Sequence, residues 1–182
     1  LALDYATMDR VDLELGQMTE FAVIGSRQEQ NLRVLSSILT AIHRKIFTEP
    51  VRLYIIDSLE RPLKPMAELS YVEKYTIDHS AIVQIFDTLM PELEKRYEAL
   101  MEEGLEGLSD CSWLFIVINN REVIEYISAS KELMKAYNHI VRQYKALRMT
   151  FLFAGIEDTA VPYGAPELLK RLKEGRQAFI TT

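Results

Sequence analysis

The segment Gly25-Ser26-Arg27-Gln28-Glu29-Gln30-Asn31-Leu32 bears most directly on chemistry in this sequence. It follows the apolar run Phe21-Ala22-Val23-Ile24 and opens an amphipathic pattern, which places it at a strand-to-helix turn. Such a turn holds phosphate when it reads Gly-x-x-x-x-Gly-Lys-Ser/Thr. The second glycine lets backbone amides approach the phosphate, the lysine meets the β and γ oxygens, and the hydroxyl ligates magnesium. Gly25 takes the first position, but Gln30, Asn31 and Leu32 stand where glycine, lysine and serine would be. Glu29 adds a negative charge. The frame of a phosphate loop is present without its working side chains.

A second run, Leu114-Phe115-Ile116-Val117-Ile118, belongs where a strand ends in an aspartate that helps hold the metal. It ends in Asn119-Asn120, both neutral. Hydrogen bonds to charged groups are worth about 1.5–3 kcal/mol each. Losing lysine, hydroxyl and aspartate together therefore removes about 4–9 kcal/mol, against about 8 kcal/mol for a whole micromolar site. Neither a cofactor nor a metal is expected, and Gly25, Gln30, Asn31, Leu32 and Asn119 read as a degenerate site. Two other readings stay open at this point. Asp57, after Leu53-Tyr54-Ile55-Ile56, together with Arg27 or Arg33, would rebuild a nucleotide site. Alternatively, Gly25 is an ordinary turn in an unrelated α/β domain.

The elements that must position these residues are legible in the hydrophobic pattern. Phe21–Ile24, Leu53–Ile56, Leu114–Ile118 and Phe151–Phe153 are continuous apolar runs rather than alternating ones, as suits strands covered on both faces. Between them, Leu35, Ile38, Leu39, Ile42 and Ile46 form one helical stripe that Pro50 stops. A long helix follows Asp78 and Ser80 and ends near Gly104, with Pro91 inside it as a source of a kink. A third helix carries Leu133, Tyr137, Ile140, Val141, Tyr144 and Leu147 behind a Ser128 or Ser130 cap. Val11 to Leu15 reads as an edge strand, Gly164 to Gly175 as a short helix, and Phe179-Ile180 as a last strand. This alternation predicts a three-layer α/β fold with a mostly parallel central sheet flanked by helices.

Composition narrows the function classes. The 182 residues are 48% hydrophobic and 26% charged, with a formal charge of -6, which is ordinary for one compact domain spanning 1–182. The acidic balance argues against a domain built to grip nucleic acid, which relies on lysine and arginine. Cys111 is the sole cysteine and pairs with nothing in its own chain. No apolar run is long enough to cross a bilayer. The start at Leu1 without a methionine reads as a fragment of a larger protein.

Beyond these motifs, the chain resembles the ATPase domains of FtsK/SpoIIIE-type translocases, and most of all the C-terminal modules of EssC/EccC coupling ATPases of type VII secretion. The resemblance runs through Leu3-Asp4-Tyr5, Val11-Asp12-Leu13, Phe21 to Ser26, Leu53 to Asp57, Leu63 to Leu69, Tyr75 to Asp78, Ile116 to Asn120 and Met149 to Ala154. It implies a P-loop NTPase-like fold of the RecA/FtsK kind, in the cytoplasmic part of a membrane-anchored protein, so that membrane contact comes only through the parent. It also implies a non-catalytic module that recognises secreted WXG100-type proteins or their complexes and regulates neighbouring ATPase modules of the same chain. A nucleotide-binding or weakly active motor domain is the alternative. A DNA-translocating motor fits least, given the charge and the broken loop.

The remaining constellations read as structural. His43, His79 and His139 are isolated and lack metal-ligand spacing. Glu92, Glu94, Glu98, Glu102 and Glu103 form an acidic helix face. Lys131, Lys135, Arg142, Lys145 and Arg148 form a basic one, and Lys170, Arg171, Lys173 and Arg176 a smaller basic cluster. Both faces read as solvated, with pairing of neighbouring modules as the functional alternative.

Overall fold

The computed structural model describes residues 2–3, 10–11, 19–157, 163–174 and 178–181. Two short strands, β1 (Ala2–Leu3) and β2 (Arg10–Val11), pair with each other antiparallel. The expected Val11–Leu15 edge strand thus begins in a separate two-stranded pair, and 12–15 lie outside the described residues. The main sheet is built from β3 (Glu20–Gly25), β4 (Val51–Ile56), β5 (Val72–Thr76), β6 (Trp113–Ile118), β7 (Met149–Ile156) and β8 (Ala178–Thr181). Its order is β5-β4-β6-β7-β3-β8, and every neighbouring pair is parallel.

Helices α1 (Gln28–Lys45), α2 (Ala81–Glu103), α3 (Arg121–Ala129), α4 (Lys131–Gln143) and α5 (Glu167–Glu174) cover both faces. On one face, Leu114, Ile116 and Ile118 pack with α2 to α5. On the other, Phe115 and Val117 pack with Leu35, Leu39 and Ile42 of α1. A strand with both faces buried must be apolar at every position, which is why β6 reads as an unbroken run. Connections toward β5 run over the α1 face and those toward β8 over the other, so all crossovers share one hand.

The sequence reading merges or omits two elements. It gives a single helix after β6, whereas two form: α3, capped by Asn120, whose side chain accepts from Glu122 N, and α4, capped by Ser130. Val123, Ile124 and Ile127 behind Asn120 carry the α3 signal. The edge strand β5 is half-exposed and carries Glu73 and Lys74, charges that suit an edge and blur its pattern. Glycine is required at the foot of α2, where Gly107 sits so close to Ala99 that an added Cβ would lie 2.5 Å from its carbonyl oxygen. Gly107→Ala is expected to cost about 2 kcal/mol, read from the urea midpoint.

Candidate functional site

The sheet's carboxyl edge is fixed by register. Ile56 of β4 lies opposite Ile118 of β6, so the next residues, Asp57 and Asn119, emerge side by side. The chain leaves β4 in one direction and β6 in the other, and the crevice between such strands is where open α/β sheets bind ligands. A cleft of about 420 Å³ lies along this edge, lined by the ends of β3, β4, β6 and β7 and the first turns of α1 and α3.

Asp57 does not reach into it as a free carboxylate. The residue is fully buried. Oδ1 accepts from Ser58 N at 2.9 Å and Asn119 Nδ2 at 2.9 Å; Oδ2 accepts from Leu63 N and the Tyr75 hydroxyl, both at 2.8 Å. Four donors occupy both oxygens. Asn120 adds a bond from Nδ2 to the Asp57 carbonyl, at 3.3 Å. Asn119 and Asn120 therefore act as braces for Asp57 and as the cap of α3.

Tyr75 registers the same arrangement. Burial, followed by its bond to Asp57, pushes its hydroxyl up to about 12. Because the folded value lies above the ordinary one near 10, this contribution to stability is complete below pH 10 and fades as pH rises toward 12. Tyr75→Phe is expected to remove that alkaline component, seen as a smaller difference between urea midpoints at about pH 9 and about pH 11.5.

The turn after β3 is short. Helix α1 starts three residues beyond Gly25, so Gln30 and Asn31 lie in its first turn and Leu32 opens the second, rather than in a loop. The Gln30 and Asn31 amides both bond the Arg27 carbonyl at 3.1 Å. Asn31 is buried, and its Nδ2 donates to the carbonyls of Gly25 (3.2 Å) and Ile156 (3.5 Å), tying the helix to β3 and β7. Leu32 packs among the core residues beneath α1. Of the sequence-selected residues, Gly25, Asn31 and Asn119 line the cleft, and Gln30 and Leu32 do not. Arg27 and Arg33 are exposed and absent from the lining.

Among the described residues the lining carries Glu60, Glu122 and Glu157 against one cation, Arg121, which is paired with Glu125 at 3.2 Å. A polyphosphate here would meet three carboxylates of its own sign, which disfavour it. Gly155, with φ +70°, was not singled out by the sequence. A bulge opposite Val23 carries it to the cleft floor, where a Cβ would lie 3.4 Å from Asn119 Oδ1. Gly155→Ala should cost about 1–2 kcal/mol through backbone strain, measurable as a lower melting temperature.

The histidines lie apart: His43 bonds the Tyr71 hydroxyl, His79 faces Glu122, and His139 bonds Tyr144. Two charges leave the surface faces given to them by sequence. Glu92 is held by Arg52 and Arg96, and Arg148 lies over the Trp113 ring and donates to the carbonyls of Ser109 and Cys111.

No family model and no curated protein matches the chain. Solved structures do match. The cytoplasmic domain of EssC superposes with a TM-score of 0.71 at 18% identity, over 99% of this chain and 35% of that one. The cytoplasmic domain of the Thermomonospora curvata type VII secretion ATPase EccC gives 0.70 at 20% identity, over 98% and 21%. The fold is that of type VII secretion ATPase modules. A structure of Thermomonospora curvata EccC (ATPases 2 and 3) in complex with a signal sequence peptide gives 0.67 at 18% identity, over 98% and 32%. The chain spans about a third or less of each of these proteins, and its parallel, helix-flanked sheet is the expected three-layer α/β fold. Among the described residues no helix is long and apolar enough to cross a membrane.

Proposed function

We propose that this chain is a non-catalytic ATPase-like module of a type VII secretion coupling protein, one unit in the cytoplasmic part of a longer membrane-anchored chain. The observation that carries this reading is the pairing of Asp57 with Asn119. The carboxylate best placed to serve a metal is spent on four internal donors, beside an amide where the second carboxylate would stand. Asn31, at the lysine position, lines the cleft as a neutral amide whose Nδ2 joins α1 to two strand ends.

The module then acts by binding. Its partners are secreted WXG100-type proteins or their complexes and the neighbouring ATPase modules of the parent, in keeping with the signal peptide bound to EccC ATPases 2 and 3. The acidic cleft favours a neutral polar or basic peptide segment over a polyphosphate. Titration of the 182-residue chain with fluorescent peptides from the C-terminal ends of such secreted proteins tests this reading. Saturable binding is expected; no binding by the chain, either alone or within its parent, would sink it.

A further inference from the structure

The face of the molecule formed by α2 and α4 carries two exposed stripes of opposite charge. On α2, Glu94, Glu98 and Glu102 recur every fourth residue, and all are exposed. On α4, Lys131, Lys135 and Arg142 recur at spacings of four and seven, also exposed and on one side of the helix. Among the described residues none of these six side chains enters an ion pair, whereas other surface charges do, such as Lys45 with Glu49 and Arg121 with Glu125. The two helices cover the same side of the sheet and meet where Tyr97 of α2 contacts Tyr144 at the end of α4, with ring centroids 5.8 Å apart. At the foot of the acidic stripe Met101 and Leu105 are 67% and 75% exposed.

Adjacent stripes of opposite sign on one face are self-complementary under a two-fold rotation, since each copy's acidic helix then faces the other copy's basic helix. We propose that the α2–α4 face is a docking surface for a second copy of this chain, joined as a two-fold dimer with α2 of each copy against α4 of the other. Charge complementarity selects the occupant. The net charge of -6 repels two copies at long range, so the attraction must come from the local match of the stripes. Exposed ion pairs are individually weak, so the dimer is weak and sensitive to salt. This pairing is independent of what the cleft binds.

Sedimentation velocity of the 182-residue chain tests it. At about 50 mM salt the weight-average sedimentation coefficient should rise with protein concentration, and about 0.5 M salt should return it to the monomer value. Lys135→Glu/Arg142→Glu and Glu94→Lys/Glu98→Lys should each abolish the rise, and an equimolar mixture of the two should restore it. Arg33→Glu/Arg44→Glu, on the α1 side, makes the same charge change as Lys135→Glu/Arg142→Glu and should leave association intact. A monomer under all conditions, or association that the stripe variants leave unchanged, overturns the proposal.

Discussion

Asp57→Asn is expected to destabilise the fold by about 3 kcal/mol, a drop of about 6–12 °C in melting temperature for a domain of this size. An asparagine keeps one acceptor oxygen and replaces the other with an NH2 group. In one orientation that group confronts Leu63 N and the Tyr75 hydroxyl; in the other it confronts Ser58 N and Asn119 Nδ2. Either way buried donors lose their acceptor, at about 1–3 kcal/mol each. A carboxylate kept for a metal behaves in the opposite sense, because removing its charge relieves the apo fold. Chemical unfolding followed by circular dichroism separates the two roles. An unchanged or raised midpoint for Asp57→Asn would return Asp57 to the list of candidate metal ligands.

Arg96→Met is the second large effect, expected at about 3–4 kcal/mol. Arg96 is only 5% exposed, though it sits within the charge-rich α2. Its guanidinium donates to the carbonyls of Ser112 and Leu147, at 2.8 and 3.1 Å, and pairs with Glu92. Those carbonyls lie just ahead of β6 and β7, so one side chain of α2 fixes the entry to two central strands. Methionine retains the apolar stem and leaves both carbonyls short of a donor. Glu92 keeps Arg52, which approaches it at 3.0 and 2.8 Å.

The network also sets an acid response. Burial alone would raise the Glu92 carboxyl, but the bond from Arg52 and the charge and bond of Arg96 outweigh it and hold it below its ordinary value. With the folded value depressed, this contribution is present above about pH 4.3 and is lost as pH falls below it. Arg96→Met should therefore flatten the acid limb of stability as well as lower its plateau. Equal loss at every pH would assign Arg96 a packing role alone.

The four central strands were legible because strands buried on both faces leave continuous apolar runs, and β3, β4, β6 and β7 coincide with them. The stripes of α1 and α2 and the final strand at Phe179-Ile180 were legible for similar reasons. The edge strand β5 was not, since half-exposure mixes charge into its pattern. Helix α3 is hidden in the sequence because Asn119 and Asn120 stand at a strand end where a metal-binding carboxylate would belong, although Asn120 followed by Glu122 is also a helix start. The residue types of the site could be read from sequence, but their partners could not. Nothing local says that Asp57 is bonded by Leu63 and Tyr75, because the turn after β4 and the pairing of β5 bring those donors in. Gly155 was invisible for the same reason: its need for a positive φ comes from the bulge between β3 and β7.

Calorimetry of the 182-residue chain with magnesium-ATP, at concentrations that detect millimolar affinity, tests most directly the claim that this cleft has lost its phosphate chemistry. With Asp57 spent on internal donors, Asn31 bridging two strand ends and three carboxylates in the lining, no saturable heat is expected. Saturable binding that Asn31 or Asp57 substitutions weaken in proportion to their contact with nucleotide, at unchanged folding, would contradict the account and make the module a nucleotide sensor or an ATPase.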